Sequence, residues 1–153
     1  MYKKILLPLD GSGLAECALP HVIDLVQDGC VGEVTVLNVY KVDLSPVGAK
    51  GYAQGINVNQ IKKSMFTASA NYLTDVESRL GSKGIKVKTV SLEGARPAVT
   101  ISDYAKENGI DMIVIATHGY TGLKKLMLGS VALGALQESH VPVLLIRPDS
   151  CRI

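Results

Sequence analysis

The sequence predicts an α/β fold: one open sheet of five parallel strands with helices packed on it. Two observations carry this expectation. Segments rich in Val, Ile and Leu alternate along the whole chain with segments whose apolar residues recur at helical spacing. Three of the five apolar runs are nearly continuous, as strands buried on both faces of a parallel sheet require. Such an alternation winds with right-handed crossovers.

The strands are expected at KILLPL (4–9), EVTVLNVY (33–40), IKVKTVSL (85–92), DMIVIAT (111–117) and VPVLLIR (141–147). The third alternates through Ile85, Val87 and Thr89, which suits a more peripheral position. Between the first two strands, Ala15, Leu19, Val22 and Val26 mark one helical face. Pro20 lies inside that pattern and predicts a kink or irregular turn. Ile61, Met65, Ala68, Tyr72, Val76 and Leu80 mark a long second helix ended by Gly81 or Gly84. Pro97 suits the first turn of a third helix, and Gly109 its end. A fourth begins at Gly129-Ser130 and must stop before Pro142. The Gly-rich connection 41–57 is too long for a tight turn, which leaves it as either a mobile loop or a lid or partner-binding segment.

Length and composition fit one globular domain over residues 1–153. Hydrophobic residues make up 47% and charged residues 20%, and the formal charge of +2 is too small for a nucleic-acid or membrane footprint. The opening MYKKILLPLD meets Pro8 and Asp10 too soon for a signal peptide, and no apolar run reaches the length of a membrane span. A cytoplasmic protein is expected. Cys17, Cys30 and Cys151 are odd in number and lack C-x-x-C spacing, which points to reduced thiols rather than a disulfide framework or zinc site.

Ligands of open α/β sheets bind beyond the carboxyl ends of the strands, where strand order reverses. The loops that reach that edge include DGSG after the first strand and THGYTG after the fourth. In THGYTGLKKLMLGS, Gly119 and Gly129-Ser130 bracket nine residues, and the second pair opens a helix. A helix start presents free N–H groups and partial positive charge to an anion, and glycine lets backbone approach it. Acids would stabilise that end, yet none occurs from Gly119 to Gln137. The same pattern suits a helix packed with its apolar side inward.

Chain order, length and motif resemble the universal stress protein family, whose nucleotide-binding members carry G-x2-G-x9-G-[ST] after strand four. The match here is Ala116-x2-Gly119-x9-Gly129-Ser130, with KKILLPLDGS and PVLLIRP similar to the family's first and last strands. The resemblance implies strand order 3-2-1-4-5, helices on both faces, and an adenine nucleotide alpha hydrolase-like fold. It implies ATP, ADP or AMP lying across strands one, two and four. Pro8, Leu9 and Asp10 would form the wall beside adenine and ribose, and the Val39 backbone would meet the adenine edge. Gly119, Gly129, Ser130 and Val131 would cradle the phosphates. Ala116 stands where the motif has its first glycine, and Ala132-Leu133-Gly134 stand where many members have a hydroxyl residue followed by Glu.

Several residues have two readings. Asp10 either caps the first helix or meets the nucleotide, with a Mg²⁺ ion shared between its carboxylate and phosphates as a further option. His118 either shapes the glycine loop or touches phosphate. Lys124 and Lys125 are solvated charge or phosphate contacts, and His21 and His140 show no metal spacing. The chain lacks G-x-x-x-x-G-K-[ST], G-x-S-x-G and a G-x-G-x-x-G after the first strand, so no template for fast turnover is present. The expected function is a nucleotide-binding sensor or regulator with an unknown protein partner and at most slow ATP hydrolysis. The alternatives are a true ATP hydrolase and a nucleotide-free interaction module. Gly134 inside a helix should cost ~1 kcal/mol relative to Ala and is expected to permit a close approach. An edge position for the last strand predicts a homodimer through residues 141–147.

Overall fold

A computed structural model of the chain describes residues 1–42, 57–117 and 128–147. Five parallel strands form one sheet: β1 (Tyr2–Pro8), β2 (Val31–Tyr40), β3 (Val87–Glu93), β4 (Met112–Ala116) and β5 (Val143–Ile146). Their order is β3-β2-β1-β4-β5, as the family resemblance implied. The helices described are α1 (Gly13–Glu16), α2 (Leu19–Gln27), α3 (Val58–Gly81), α4 (Pro97–Glu107) and α5 (Ser130–Glu138).

Period-two alternation within the central strands builds two cores. Ile5, Leu7, Val34, Val36 and Val114 face α2 and α3, where Val22, Leu73, Val76 and Leu80 close over them. Leu6, Leu37, Ile113 and Ile115 face the other way, under Ile101 of α4 and Ala132 and Ala135 of α5. Helices therefore cover both faces, which is why β1 and β4 read as unbroken apolar runs.

Element boundaries differ from expectation where backbone pairing and apolar content diverge. β1 and β2 begin two residues earlier than their apolar runs, because Tyr2 and Val31 already pair. The first helix is two. It breaks at Cys17-Ala18, and Pro20 lies in the first turn of α2, where a missing N–H leaves no bond unmade. α3 buries Ser69, Leu73, Val76 and Leu80, whereas Met65 and Ala68, expected on its inner face, are exposed. Full burial on this helix begins only at Ser69, and apolar spacing cannot register where cover starts. α4 ends as predicted, with Asn108 as cap and Gly109 at φ +64°, a left-handed conformation that glycine adopts without strain. Cys17 is buried and disulfide-bonded, against the expectation of reduced thiols, since an odd count forbids complete pairing but not a single pair. Cys30 keeps a free, exposed thiol.

The close approach expected at Gly134 is to α4. A Cβ at this position would sit 2.5 Å from the Ala98 methyl, well inside contact distance. Alanine there gains ~1 kcal/mol of helix propensity but forces α4 and α5 apart, which typically costs ~1–3 kcal/mol. Gly134→Ala is expected to lower stability by roughly 1 kcal/mol, and Ala98→Gly in the same chain to restore part of it. Urea denaturation of the four chains of this cycle checks both.

Candidate functional site

The central strands part at their carboxyl ends. β1 and β4 pair only through Ile5–Met112 and Leu6–Ile113, so beyond these residues a crevice opens between them. Proline ends β1, and the last bond from this strand to β2 runs from Leu9 N–H to the Leu37 carbonyl (2.9 Å). β2 continues three residues further. Alternate residues of a parallel strand turn their amides to opposite neighbours. Leu37 faces β1, and Tyr40 faces β3, accepting from Gly94 N–H at 3.0 Å. The N–H and C=O of Val39 are therefore directed to the side of β1, where β1 no longer runs.

A tight turn follows. Asp10 Oδ1 accepts from Ser12 N–H (2.8 Å) and from the Ser12 hydroxyl (2.6 Å). Ser12 Oγ in turn accepts from Ala15 N–H (3.1 Å) as the N-cap of α1. The helix cap is thus Ser12 rather than Asp10, and Asp10 orients it. Gly11 has φ +86°, which makes Asp-Gly the residue pair this turn needs. Asp10 Oδ2 has no hydrogen-bond partner among the described residues.

Pro8, Leu9, Asp10, Val39, Ala116 and Val131 line one cavity of about 100 Å³ in the crevice. Pro97 and Ile101 of α4 and Ala132 of α5 close it from above, contributions that helical periodicity could not assign to a site. Gly129 is the buried N-cap residue of α5 and Ser130 its exposed first residue. No side chain caps this helix among the described residues, and its first turn holds no acid. His118 and Gly119 lie outside the described residues, as do Lys124, Lys125, the tail and positions 43–56 of the long connection.

On the other face of the sheet a larger hollow, about 390 Å³, is bordered by Asn38, Met65, Ser69 and Tyr72 and shares Asp10 and Val39 with the first. Beneath it lies a buried polar cluster that sequence reading missed. Asn38 Nδ2 donates to the Leu9 carbonyl (2.7 Å), Ser69 Oγ donates to Asn38 Oδ1 (2.6 Å), and the Ser69 and Ser91 hydroxyls meet at 2.8 Å. An Asn in a strand and a Ser on a helix carry no periodic signal, which is why they escaped notice. Among the described residues no cluster of His, Cys, Asp or Glu could hold a metal ion alone.

A five-stranded parallel sheet in this order, with a cleft at the switch between β1 and β4, matches the adenine nucleotide alpha hydrolase-like class. The family model described as the universal stress protein family matches residues 1–147, and the chain belongs to that family. Universal stress protein MJ0531 of Methanocaldococcus jannaschii is 33% identical over 96% of this chain and 83% of its own length. The solved structure of MJ0577 from the same organism superposes with a TM-score of 0.76 at 32% identity, over 96% of both chains. Two more distant structures share the fold. One is a universal stress protein in complex with cAMP (18% identity, TM-score 0.65, 96% and 98% coverage). The other is an Arabidopsis thaliana family protein with AMP bound (14% identity, TM-score 0.56, 95% and 91% coverage). No helix among the described residues is long and apolar enough to cross a membrane.

An ionic network braces the same turn. Glu16 accepts from Arg79 Nη2 (2.8 Å) and from the Tyr72 hydroxyl (3.0 Å), and Arg79 also reaches Asp75 at 3.4 Å. The Arg79 hydrogen bond is the main cause holding the Glu16 carboxyl below its ordinary 4.5, against the opposing effect of burial. Burial first, then the bond to Glu16, raises the Tyr72 hydroxyl. Because Glu16 binds its proton less readily when folded, its stabilisation is present above pH 4.5 and disappears as pH falls through the lowered value. Arg79 is half exposed, so the contribution is below about 1 kcal/mol. Glu16→Gln is expected to flatten the acid side of the stability profile, as urea titrations at a series of acid pH values would measure.

Proposed function

We propose that the crevice binds an adenine nucleotide, AMP or ATP, and that the chain works as one universal stress protein domain, a cytoplasmic sensor or regulator. The observation that carries this reading is the unpaired backbone edge of Val39 in an apolar slot. One N–H and one C=O side by side match adenine, whose N1 accepts and whose 6-amino group donates. Guanine presents the opposite pattern. The slot of about 100 Å³ is below the ~300 Å³ of whole-ligand pockets, so it suits the base and leaves sugar and phosphates nearer the mouth.

There Asp10 Oδ2 accepts from the ribose hydroxyls. The free N–H groups and dipole of α5 at Gly129, Ser130 and Val131 attract the phosphates, with the Ser130 hydroxyl beside them. Gly119 and His118 belong to the same cradle by their place in the motif. Mg²⁺ would find one carboxylate oxygen at Asp10, enough for an ion that takes its other ligands from phosphate and water. Ala116 packs in the core under α2 and α3 and also lines the crevice with Val131 and Ala132, where its single methyl narrows the slot. The cAMP and AMP held by two relatives support the ligand class.

Calorimetry and thermal shift provide the test. AMP and ATP are expected to raise the melting temperature and GTP to leave it unchanged, and Asp10→Ala to weaken AMP binding about tenfold. No stabilisation by any nucleotide at millimolar concentration would instead make the chain a nucleotide-free interaction module. Steady-state turnover of ATP with magnesium, lost in Asp10→Ala, would make it a true hydrolase.

The homodimer belongs to the same proposal. β5 is an edge strand, and Leu144 on it and Leu133 and Leu136 on α5 are exposed. A bare apolar edge invites pairing, and a second copy supplies a matching one. Light scattering is expected to give twice the 16.3 kDa chain mass, and Leu144→Lys to shift the population to monomer.

A further inference from the structure

The residues on either side of Asp10 are both fastened to α3, on successive turns of that helix. Before Asp10, the Leu9 carbonyl accepts from Asn38, and Asn38 accepts from Ser69. After Asp10, Glu16 accepts from Tyr72. Ser69 and Tyr72 are three residues apart, so one face of α3 carries both attachments. Asn38 and Ser69 are buried, and no buried side-chain polar atom among the described residues lacks a partner. Satisfied networks of this kind have few alternative arrangements.

Packing alone does not require the hydroxyls of this design. The core under α3 is made by Leu73, Val76 and Leu80, toward the other end of the helix, with the Tyr72 ring packed against it. The half of α3 that carries Ser69 has exposed side chains before it, including Met65 and Phe66. Its attachment to the sheet at this level runs through hydroxyl and amide groups that end on the Leu9–Asp10 peptide and on α1. Leu9 and Asp10 line the crevice, and Ser12, Leu14 and Ala15 of the α1 segment line it too.

We infer that Asn38, Ser69 and Tyr72 are positioning residues for the Asp10 turn, and that they make occupancy of the crevice felt by α3. This rests on the nucleotide reading above. A nucleotide that draws Asp10 toward its ribose shifts the Leu9 carbonyl and α1 together, and both movements reach one face of α3. The coupling is reciprocal: whatever holds Ser69 and Tyr72 in place tightens the crevice, and whatever displaces them loosens it.

Backbone amide spectra of the full chain during AMP titration test the inference. In the unaltered protein, amides of 66–73 are expected to shift together with those of 10–12. Ser69→Ala should weaken AMP affinity about threefold to tenfold, within the range for coupling through such contacts, and should damp the response of 66–70 while 10–12 still respond. Ser69→Thr, which keeps the hydroxyl, should recover both. Tyr72→Phe removes only a hydroxyl and serves if Ser69→Ala folds poorly; it should weaken AMP binding in the same direction. Binding by the unaltered chain with no response in α3, or equal affinity in all these variants, overturns the inference and leaves the nucleotide reading standing. Failure of the unaltered chain to bind AMP overturns both.

Discussion

The site depends on one mismatch of lengths. β1 stops at Pro8 while β2 runs on to Tyr40, and β1 stays paired with β4 only through Leu6. Everything at the carboxyl end follows from that early stop. The backbone edge of Val39 is left without a neighbouring strand, and the crevice between β1 and β4 has room to form. Proline is suited to the stop because it brings no N–H to a ladder that ends there. The chain must then turn at once, and Asp10, Gly11 and Ser12 supply an acceptor, a left-handed residue and a helix cap in three positions.

That early stop has a structural consequence that the buried polar cluster answers. Once β1 leaves the ladder, the Leu9 carbonyl would be a buried acceptor without a strand partner, a loss of roughly 1–3 kcal/mol. Asn38 replaces the missing strand with a side chain, Ser69 donates to its amide oxygen, and Ser91 meets the Ser69 hydroxyl. The polar residues are buried because of the strand ending, and the ending persists because the polar residues satisfy it. A central strand bonded along its whole length would need neither.

Much of the fold was legible because it is written in periodicities. The unbroken runs of β1 and β4 report burial on two faces, and the spacing of Val76 and Leu80 reports one face of α3. Strand order was not legible from spacing, since any permutation of five parallel strands leaves the same pattern; it came with the family resemblance. Within the site, Pro8, Asp10 and Gly11 announce a turn by their chemistry. Ile101, Pro97 and Ala132 come from helices distant in sequence, and only tertiary packing brings them over the crevice. The inner face assigned to Met65 and Ala68 failed for a related reason. Amphipathic spacing says which residues share a face, not whether the sheet extends beneath it.

The composition of the crevice also bears on what it can do with a ligand. Among the described residues lining it, Asp10 is the one ionisable side chain, and half of its carboxylate is engaged with Ser12. Acid–base catalysis needs a group free to take a proton within hydrogen-bond reach of the reacting atom. A carboxylate that also orders a turn resists the movement such a transfer asks for. The other lining groups are aliphatic side chains, prolines and two hydroxyls, which exclude water and select shape. Under the proposed reading the crevice holds a nucleotide, and the link from Leu9 to α3 is the route by which its occupancy would be passed on.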